Sequence, residues 1–438
     1  VTDSPTGSSD RPPGLAVGDE VEVDVTGFAH GGSAVARHDG QVLFVRHALP
    51  GERVRAVVGE VGSGGRFVRA DAVSVVVASP DRVEPPCPWA GPGRCGGCDL
   101  QHVALGRQRS LKAGVVREQM ARLAGLDVDV EVEPVPGDDG GLGWRTRVEF
   151  AVDAEGRPGL RRYRSHEVVP VDTCRIAAPG VTALGVTART WPGAEAVDAV
   201  APSVGEPVAV AVPGDEVPEV TERVVASWTG PDGSARSLER EVVLSARGFW
   251  QVHPGAATAF VGAVMDGLQV RTGERAVDLY GGSGLFTAAL AQEVGPSGQV
   301  VLVEADAAAT EGARGAFTGS GNVVVVTARV DDAFGVAAPR RGRRRRHGGG
   351  SRSPLLPERS DVVVLDPPRT GAGPAVCRAV AAMRPRAVAY VACDPAALAR
   401  DTRAFLDTGF RLGSLRAFDA FPMTHHVECV ALFVPDPA

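Results

Sequence analysis

From about residue 248 onward the chain repeats one pattern: a short, almost wholly apolar run, a turn rich in glycine or proline, then a helical stretch. The runs lie at 276–279, 300–303, 323–326, 361–365 and 387–391, with one more at 427–434. A strand covered on one face alternates polar and apolar residues, whereas a strand covered on both faces reads as a continuous apolar segment. With helices between most of these runs, residues 248–438 are expected to form a doubly wound, mainly parallel α/β domain.

The rest of the chain follows other rules. Residues 1–13 (VTDSPTGSSDRPP) have little to bury and are expected to be a disordered tail. Over 14–78, β-rich runs at 20–26, 41–45, 53–61 and 67–77 are separated by Gly31-Gly32, Asp39-Gly40, Pro50-Gly51 and Gly64-Gly65. That spacing predicts a small barrel of four or five strands. Residues 79–247 form a central, β-rich region that opens with an irregular Pro/Gly/Cys segment. A helix at about 105–123 follows that segment, with Leu111, Val115, Val116, Met120 and Leu123 on one face.

Composition removes several function classes. The 46 Lys and Arg residues include one lysine, Lys112, so a phosphate loop ending in Gly-Lys-Ser/Thr is excluded. Schiff-base chemistry would rest on Lys112, which sits in an ordinary charged helix pattern. A formal net charge of -7 argues against a protein held on nucleic acid by bulk charge. No apolar run reaches the roughly 18 residues that cross a bilayer, and the start of the chain lacks an export signal, so no membrane and a cytoplasmic location are expected. Seven cysteines, unevenly spread, favour metal binding or catalysis over disulfides in such a chain. Residues 340–353 (RRGRRRRHGGGSRS) read as a solvated insertion, with an RNA-grasping loop as the alternative.

Several motifs carry chemistry. VDLYGGSG puts glycines at a strand's carboxyl end, where doubly wound sheets bind nucleotides, and the next strand ends in Glu304, placed to accept from ribose hydroxyls. The third glycine of a dinucleotide fingerprint is missing, so S-adenosylmethionine, with ribose and adenine but no phosphate, fits better. Asp366-Pro367-Pro368-Arg369 brings Asp366 to the same crevice on an extended backbone, a simple helix-entry proline being the alternative. Cys393 follows the run VAYVA beside a helix N-terminus, where a thiol's pKa is lowered and a nucleophile results, a buried structural cysteine being the alternative. Glu428 interrupts an otherwise apolar strand, where burial raises its pKa and suits a general base, unless the strand lies at an edge and the side chain faces water. Cys87, Cys95 and Cys98, with Cys174 downstream, suit zinc or a 4Fe–4S cluster if they are ligated.

Together these residues resemble the RNA uracil-5-methyltransferase family. GFAHGGSAVAR, ALPGERVRA and SPDRVEPPC resemble a TRAM domain, an OB-like RNA-binding barrel. CGGCDLQH is similar to the family's cluster-binding segment and WRTRVEF to its central-domain signature, and GFWQVH, VDLYGGSGLF, LDPPRTG, VACDP and HHVEC follow in the family's order. The resemblance implies a multidomain α/β chain: an N-terminal OB-like β-barrel (TRAM), a central β-rich cysteine-cluster domain, and a C-terminal Rossmann-like class I methyltransferase domain. It also implies S-adenosylmethionine as methyl donor and RNA as partner. The product would be 5-methyluridine, formed through a bond from Cys393 to uracil carbon 6, with Glu428 removing the carbon 5 proton. The positions that match the family's S-adenosylmethionine site are Gln251, Tyr280, Leu285, Glu304 and Asp366, with Asp331 or Asp332 on the adenine side. Cys87, Cys95, Cys98 and Cys174 match ligands of a 4Fe–4S cluster, zinc being the alternative. A TRAM barrel with four cysteines points to 23S ribosomal RNA, then to transfer RNA; from another class, the alternative is a non-catalytic iron–sulfur RNA-binding protein. A monomer is expected. The chain departs from the family in a wider first cysteine gap, in the Trp and His of GFWQVH, and in the Arg-rich insertion.

Overall fold

The computed structural model describes residues 14–336 and 352–437. The expected disordered tail at 1–13 and most of the Arg-rich insertion lie outside the described residues. The chain forms two compact units: the first takes the chain up to Gln108 with Arg161–His166 and Met423–His425, the second Arg109–Leu160, Glu167–Pro422 and the C-terminal stretch from His426.

In the first unit, β1 (Glu20–Ala29), β2 (Ser33–His38), β3 (Gln41–Arg46), β4 (Arg53–Val61) and β5 (Phe67–Val77) close into a barrel in the order β1-β2-β3-β5-β4. Along β1, Val21, Val23 and Val25 point inward while Glu20, Glu22 and Asp24 face water, the period-two pattern of a half-buried strand. Closure leaves no long free edge. The irregular segment after β5 is tied down by Glu52, which is 1% exposed. Its carboxylate accepts from Leu49 N at 2.8 Å, Ser79 N at 3.2 Å and Arg82 Nε at 2.6 Å.

Helix α1 (Leu105–Gln119) runs on into a π turn over Met120–Ala124. That wider turn shifts the face: Met120 is buried as expected, but Leu123 is exposed. Lys112, far from sitting in an ordinary charged pattern, is 1% exposed and donates to Asp419 Oδ1 at 2.5 Å and to the Phe421 carbonyl at 3.0 Å. After β6 (Val132–Pro134) come β7 (Arg147–Val152), β8 (Pro158–Arg161), β9 (Val168–Pro170), the short α2 (Pro179–Ala183), β10 (Ala196–Val200) and β11 (Val208–Val212). These strands, β6 excepted, make a five-stranded sheet of order β11-β10-β7-β8-β9, and β12 (Glu219–Thr229) pairs with β13 (Ala235–Ser245) alone.

The remaining elements alternate: α3 (Ala256–Leu268), β14 (Arg275–Leu279), α4 (Leu285–Val294), β15 (Gln299–Glu304), α5 (Ala307–Ala316), β16 (Val323–Thr327), α6 (Val330–Ala333), β17 (Val362–Leu365), α7 (Pro374–Ala382), β18 (Ala387–Ala392), α8 (Pro395–Leu406), β19 (Phe410–Asp419) and β20 (Glu428–Pro435). The sheet order is β16-β15-β14-β17-β18-β20-β19-β6, parallel from β16 to β18 and antiparallel on both sides of β20. Alternate residues feed two separate cores: Val277, Val301, Val363 and Val388 pack on one face, Ala276, Val300, Val362 and Ala387 on the other. Both faces are therefore covered, which explains the unbroken apolar runs. Chain order reverses at β14, which lies between β15 and β17, so a crevice opens at the carboxyl ends of these strands. No helix among the described residues is long and apolar enough to cross a membrane.

Candidate active site

The crevice collects most of the residues singled out from sequence. Tyr280 follows β14 at φ 62, a left-handed conformation that is costly for a side chain of this size and turns the chain sharply off the strand end. Gly281 has no room for a Cβ, which would lie 2.7 Å from Leu302. Gly282 (φ +53) faces open space where a ligand can approach the backbone. At the end of β15, Glu304 is shaped by three backbone donors: Gly282 N at 3.1 Å, Ala305 N at 2.6 Å and Asp306 N at 2.7 Å. Leu285, half-buried, opens α4.

Two carboxylates, the fully buried Asp278 in β14 and the half-buried Asp366 just after β17, stand beside these glycines. Asp278, 0% exposed, accepts from Thr287 Oγ1 at 2.6 Å through Oδ2, while Oδ1 has no hydrogen-bond partner. Burial pushes it up to about 7, with the field of Glu304 adding to the shift. Asp366 follows β17 and is held by its N–H donating to the Leu279 carbonyl at 3.2 Å. It too is pushed up to about 7, by burial first and then by Asp278 and Glu304. Carboxylates held this way favour a cation, and S-adenosylmethionine carries a sulfonium and an ammonium. An orphaned buried oxygen on Asp278, a glycine facing open space and the Glu304 carboxylate at the end of β15 suit that molecule.

Asp331 lies at the start of α6 with both oxygens 3.0 Å from the Arg329 guanidinium, which holds its carboxyl below the usual range. Any adenine contact would share it with Arg329. Gln251, buried, lies between β13 and α3. Its neighbour Val252 accepts through its carbonyl from Thr146 N at 2.8 Å and from Thr146 Oγ1 at 3.0 Å, and His253 stacks on Trp144 with ring centroids 5.7 Å apart.

At the other end, β18 and β20 pair antiparallel with Ala392 opposite Cys429, so one step further the register sets Cys393 opposite Glu428. Because β20 lies between β18 and β19, Glu428 is no edge residue; it is 6% exposed. Burial, and then Asp366, raises its pKa, while Arg369 opposes the shift. Cys393 is half-buried, and here the sequence-level expectation of a lowered pKa is overturned. Burial, Glu428 and Asp366 push the thiol up to about 12, with Arg369 acting against them. The helix N-terminus gives little help because Asp394, the N-cap of α8, already accepts from Ala397 N at 2.7 Å and sets a carboxylate at its positive end.

Motif reading missed Asp278, although the rule that singled out Glu428, a carboxylate inside an apolar strand, applies to it equally. It also passed over Phe249, 79% exposed and two residues from Gln251, and gave Arg369 no role.

In the first unit Cys95 Sγ accepts from Gly97 N, and Cys98 Sγ from Gln101 Nε2, each at 3.4 Å. Cys174 belongs to the second unit. The donor chemistry suits a metal, yet among the described residues no group of three or more Cys, His, Asp or Glu side chains is gathered as one that could hold a metal ion.

A doubly wound sheet with a ligand crevice at its switch point, a thiol opposite a buried carboxylate and a β-barrel ahead of them define a class I methyltransferase carrying an N-terminal TRAM region. A family model described as tRNA (Uracil-5-)-methyltransferase matches residues 245–434, and the TRAM domain model matches 15–73. A Streptomyces avermitilis protein named as an uncharacterized RNA methyltransferase is 47% identical, over 96% of this chain and 99% of its own. The Pseudomonas aeruginosa 23S rRNA (uracil(1939)-C(5))-methyltransferase RlmD is 31% identical, over 98% of this chain and 97% of its own. The crystal structure of Pyrococcus abyssi tRNA (uracil-54, C5)-methyltransferase with S-adenosyl-L-homocysteine shares the fold at TM-score 0.61 and 21% identity, covering 94% of this chain and 99% of that one. The chain belongs to the RNA uracil-C5 methyltransferase family, enzymes that use S-adenosylmethionine on a class I fold.

Proposed function

We propose that this enzyme methylates carbon 5 of a uridine in 23S ribosomal RNA through a covalent bond to Cys393. The observation that carries the reading is the opposition of a thiol and a buried carboxylate at the end of β18 and the start of β20, beside the Asp278–Glu304–Asp366 crevice. Methylation of an exocyclic nitrogen would have no use for such a pair. The 31% identity to a 23S rRNA enzyme supports the choice of RNA.

Bound S-adenosylmethionine supplies an electrophilic methyl group and a positive charge. With that charge beside Asp366, the field that keeps Cys393 neutral is offset. Cys393 loses its proton to solvent and its sulfur bonds carbon 6 of the uracil, while the 5,6 double-bond electrons move to the oxygen on carbon 4. Carbon 5 then attacks the methyl carbon, and the sulfonium sulfur keeps the electron pair as S-adenosylhomocysteine departs. Glu428, as carboxylate, removes the proton from carbon 5; the double bond re-forms and Cys393 leaves as thiolate. A raised pKa makes Glu428 a stronger base for that step. Gln251, Tyr280, Leu285, Glu304, Asp331 and Asp366 line the methyl donor in this reading, and the exposed ring of Phe249 suits stacking on a base splayed from its helix.

The proposed division of labour has residues 14–78 grip RNA, 79–247 carry the cysteines and 248–438 perform the transfer, in the cytoplasm. Assignment of Cys87, Cys95, Cys98 and Cys174 to a 4Fe–4S cluster remains a proposal carried by donor type; anaerobic iron and sulfide analysis of the wild type against Cys98→Ser checks it.

The functional test is incubation with S-adenosylmethionine and 5-fluorouridine-substituted 23S ribosomal or transfer RNA, followed by denaturing electrophoresis and mass mapping. Fluorine blocks the last proton removal, so an adduct on Cys393 is expected with ribosomal RNA and none with Cys393→Ala, which still binds RNA. Absence of any adduct despite RNA binding would favour the non-catalytic reading, and an adduct with transfer RNA alone would change the substrate.

A further inference from the structure

We propose that Asp401 and Tyr390 are positioning residues that hold Arg369 at the Cys393–Glu428 pair, and that Arg369 is the cation that keeps the thiol reactive. The proposal rests on the covalent reading above.

Helix α7 starts at Pro374, and its N-cap, Gly373, has no side chain to cap with. The missing acceptor comes from another helix. Asp401 in α8, 2% exposed, accepts from Ala372 N at 2.8 Å and from Gly373 N at 3.2 Å. Its Oδ2 also accepts from the Tyr390 hydroxyl at 2.5 Å, and Ala372 N lies 3.1 Å from that hydroxyl oxygen. Gly371 (φ +84) presses so closely on this carboxylate that a Cβ would sit 2.6 Å from Oδ2. Gly371 N donates back to the Pro368 carbonyl at 2.8 Å, closing a turn with Arg369 at its corner.

A helix cap needs only the carboxylate. Tyr390, fully buried in β18, adds a tie from that carboxylate to the strand that leads into Cys393. The clamp thus joins the turn carrying Arg369, the strand leading to Cys393 and the helix leaving it. On its outer side Arg369 Nη2 is 3.4 Å from His426 Nε2, two residues before Glu428. Glu428 and Asp366 oppose ionisation of the Cys393 thiol and Arg369 favours it; on Glu428, Asp366 and Arg369 act in the same opposed senses. Displacing that guanidinium removes a charge that offsets the two carboxylates acting on a half-buried thiol.

The test reads Cys393 without RNA. Wild type, Tyr390→Phe, Asp401→Asn, Arg369→Gln and the Arg369→Gln/Tyr390→Phe pair are alkylated with iodoacetamide at one alkaline pH, and the Cys393 peptide is followed by mass spectrometry. A one-unit rise in thiol pKa lowers the thiolate fraction tenfold, so Arg369→Gln should slow alkylation about tenfold and the clamp variants about threefold. Adding Tyr390→Phe to Arg369→Gln should slow it no further, because both act through one cation. S-adenosylmethionine binding, measured by calorimetry, should stay unchanged in Tyr390→Phe, since Asp366 is anchored separately to Leu279. A clamp that merely caps a helix would lower the melting temperature and leave alkylation untouched. That result, unchanged alkylation in Arg369→Gln, or multiplicative losses in the pair would each overturn the proposal. A missing fluorouridine adduct in the wild type would strike the covalent reading instead, while the alkylation ratios would still score the clamp.

Discussion

Each unit buries a polar cluster, and burial moves the two in opposite directions. In the first, His47 and His102 stand edge to face with centroids 6.0 Å apart. Burial, helped by Arg46, pushes His47 down to about 3; burial and Arg82 push His102 down to about 4. In the second, Asp278 and Asp366 are pushed up to about 7. Both clusters favour the uncharged form, and they differ in who supplies the balancing charge. The first has its own cations: Arg46 lies 3.6 Å over the Tyr163 ring and 3.5 Å from Asp99, and Arg82 grips Glu52. The second sets carboxylate against carboxylate. A cluster balanced from within suits a structural role, and one that sets carboxylate against carboxylate suits the reception of a cation.

The largest effect should come from removing a carboxylate of the second cluster. Asp366→Asn is expected to weaken S-adenosylmethionine binding about tenfold by titration calorimetry. Wild-type affinity should also rise as pH rises through about 7, because the cation favours the ionised form of Asp366, and the variant should lose that rise. Undiminished affinity in the variant would remove Asp366 from the site.

A second expectation sets the units against each other without ligand. Asp278 and Asp366 have folded pKa values raised from 3.8 to about 7, so the stability their neutral forms contribute is present below 3.8 and is lost as pH rises through about 7. His47 and His102 are depressed from 6.5, so their contribution is present above 6.5 and is lost as pH falls towards about 4 and 3. Asp71, raised by burial, runs counter to them at the acid end. Each fully coupled proton is worth about 1.4 kcal/mol per pH unit. On acidification below 6.5, hydrogen-exchange protection, corrected for the intrinsic pH dependence of exchange, should fall in peptides of the barrel unit and rise in those of the sheet. Parallel trends in both units would sink the contrast. The smallest effect is expected from His102→Gln, which should flatten the barrel's acid slope by about 1 kcal/mol per pH unit and leave ligand affinity alone.

Legibility in the sequence depended on how far local patterning reached. The parallel strands β14 to β18 could be read because each is apolar on both faces. Strand β19 (FRLGSLRAFD) could not, since a register shift between Leu412 and Ser414 breaks its alternation, and the three residues of β6 are too few for any period to show. The glycines, Glu304, Asp366 and Cys393 could be placed at strand ends from motif and spacing; Glu428, read as lying inside its strand, opens β20 instead. The clamp could not: Asp401 lies in the helix ARDTRAFL with nothing local to mark it, and Lys112 is buried by Asp419, 307 residues away.

Cys393 shows where the boundary falls. By itself the sequence determined that a cysteine would stand at the end of a central strand before a helix, because strand and helix periodicity are properties of neighbouring residues. Only the tertiary structure decided its ionisation. Pairing of β18 with β20 brings Glu428 opposite the thiol, the sheet order brings Asp366 near, and the folded turn sets Arg369 against both. Burial raises the thiol most, the fields of Glu428 and Asp366 add to it across long stretches of chain, and against Arg369 they outweigh the local rule of the helix end and reverse its sign.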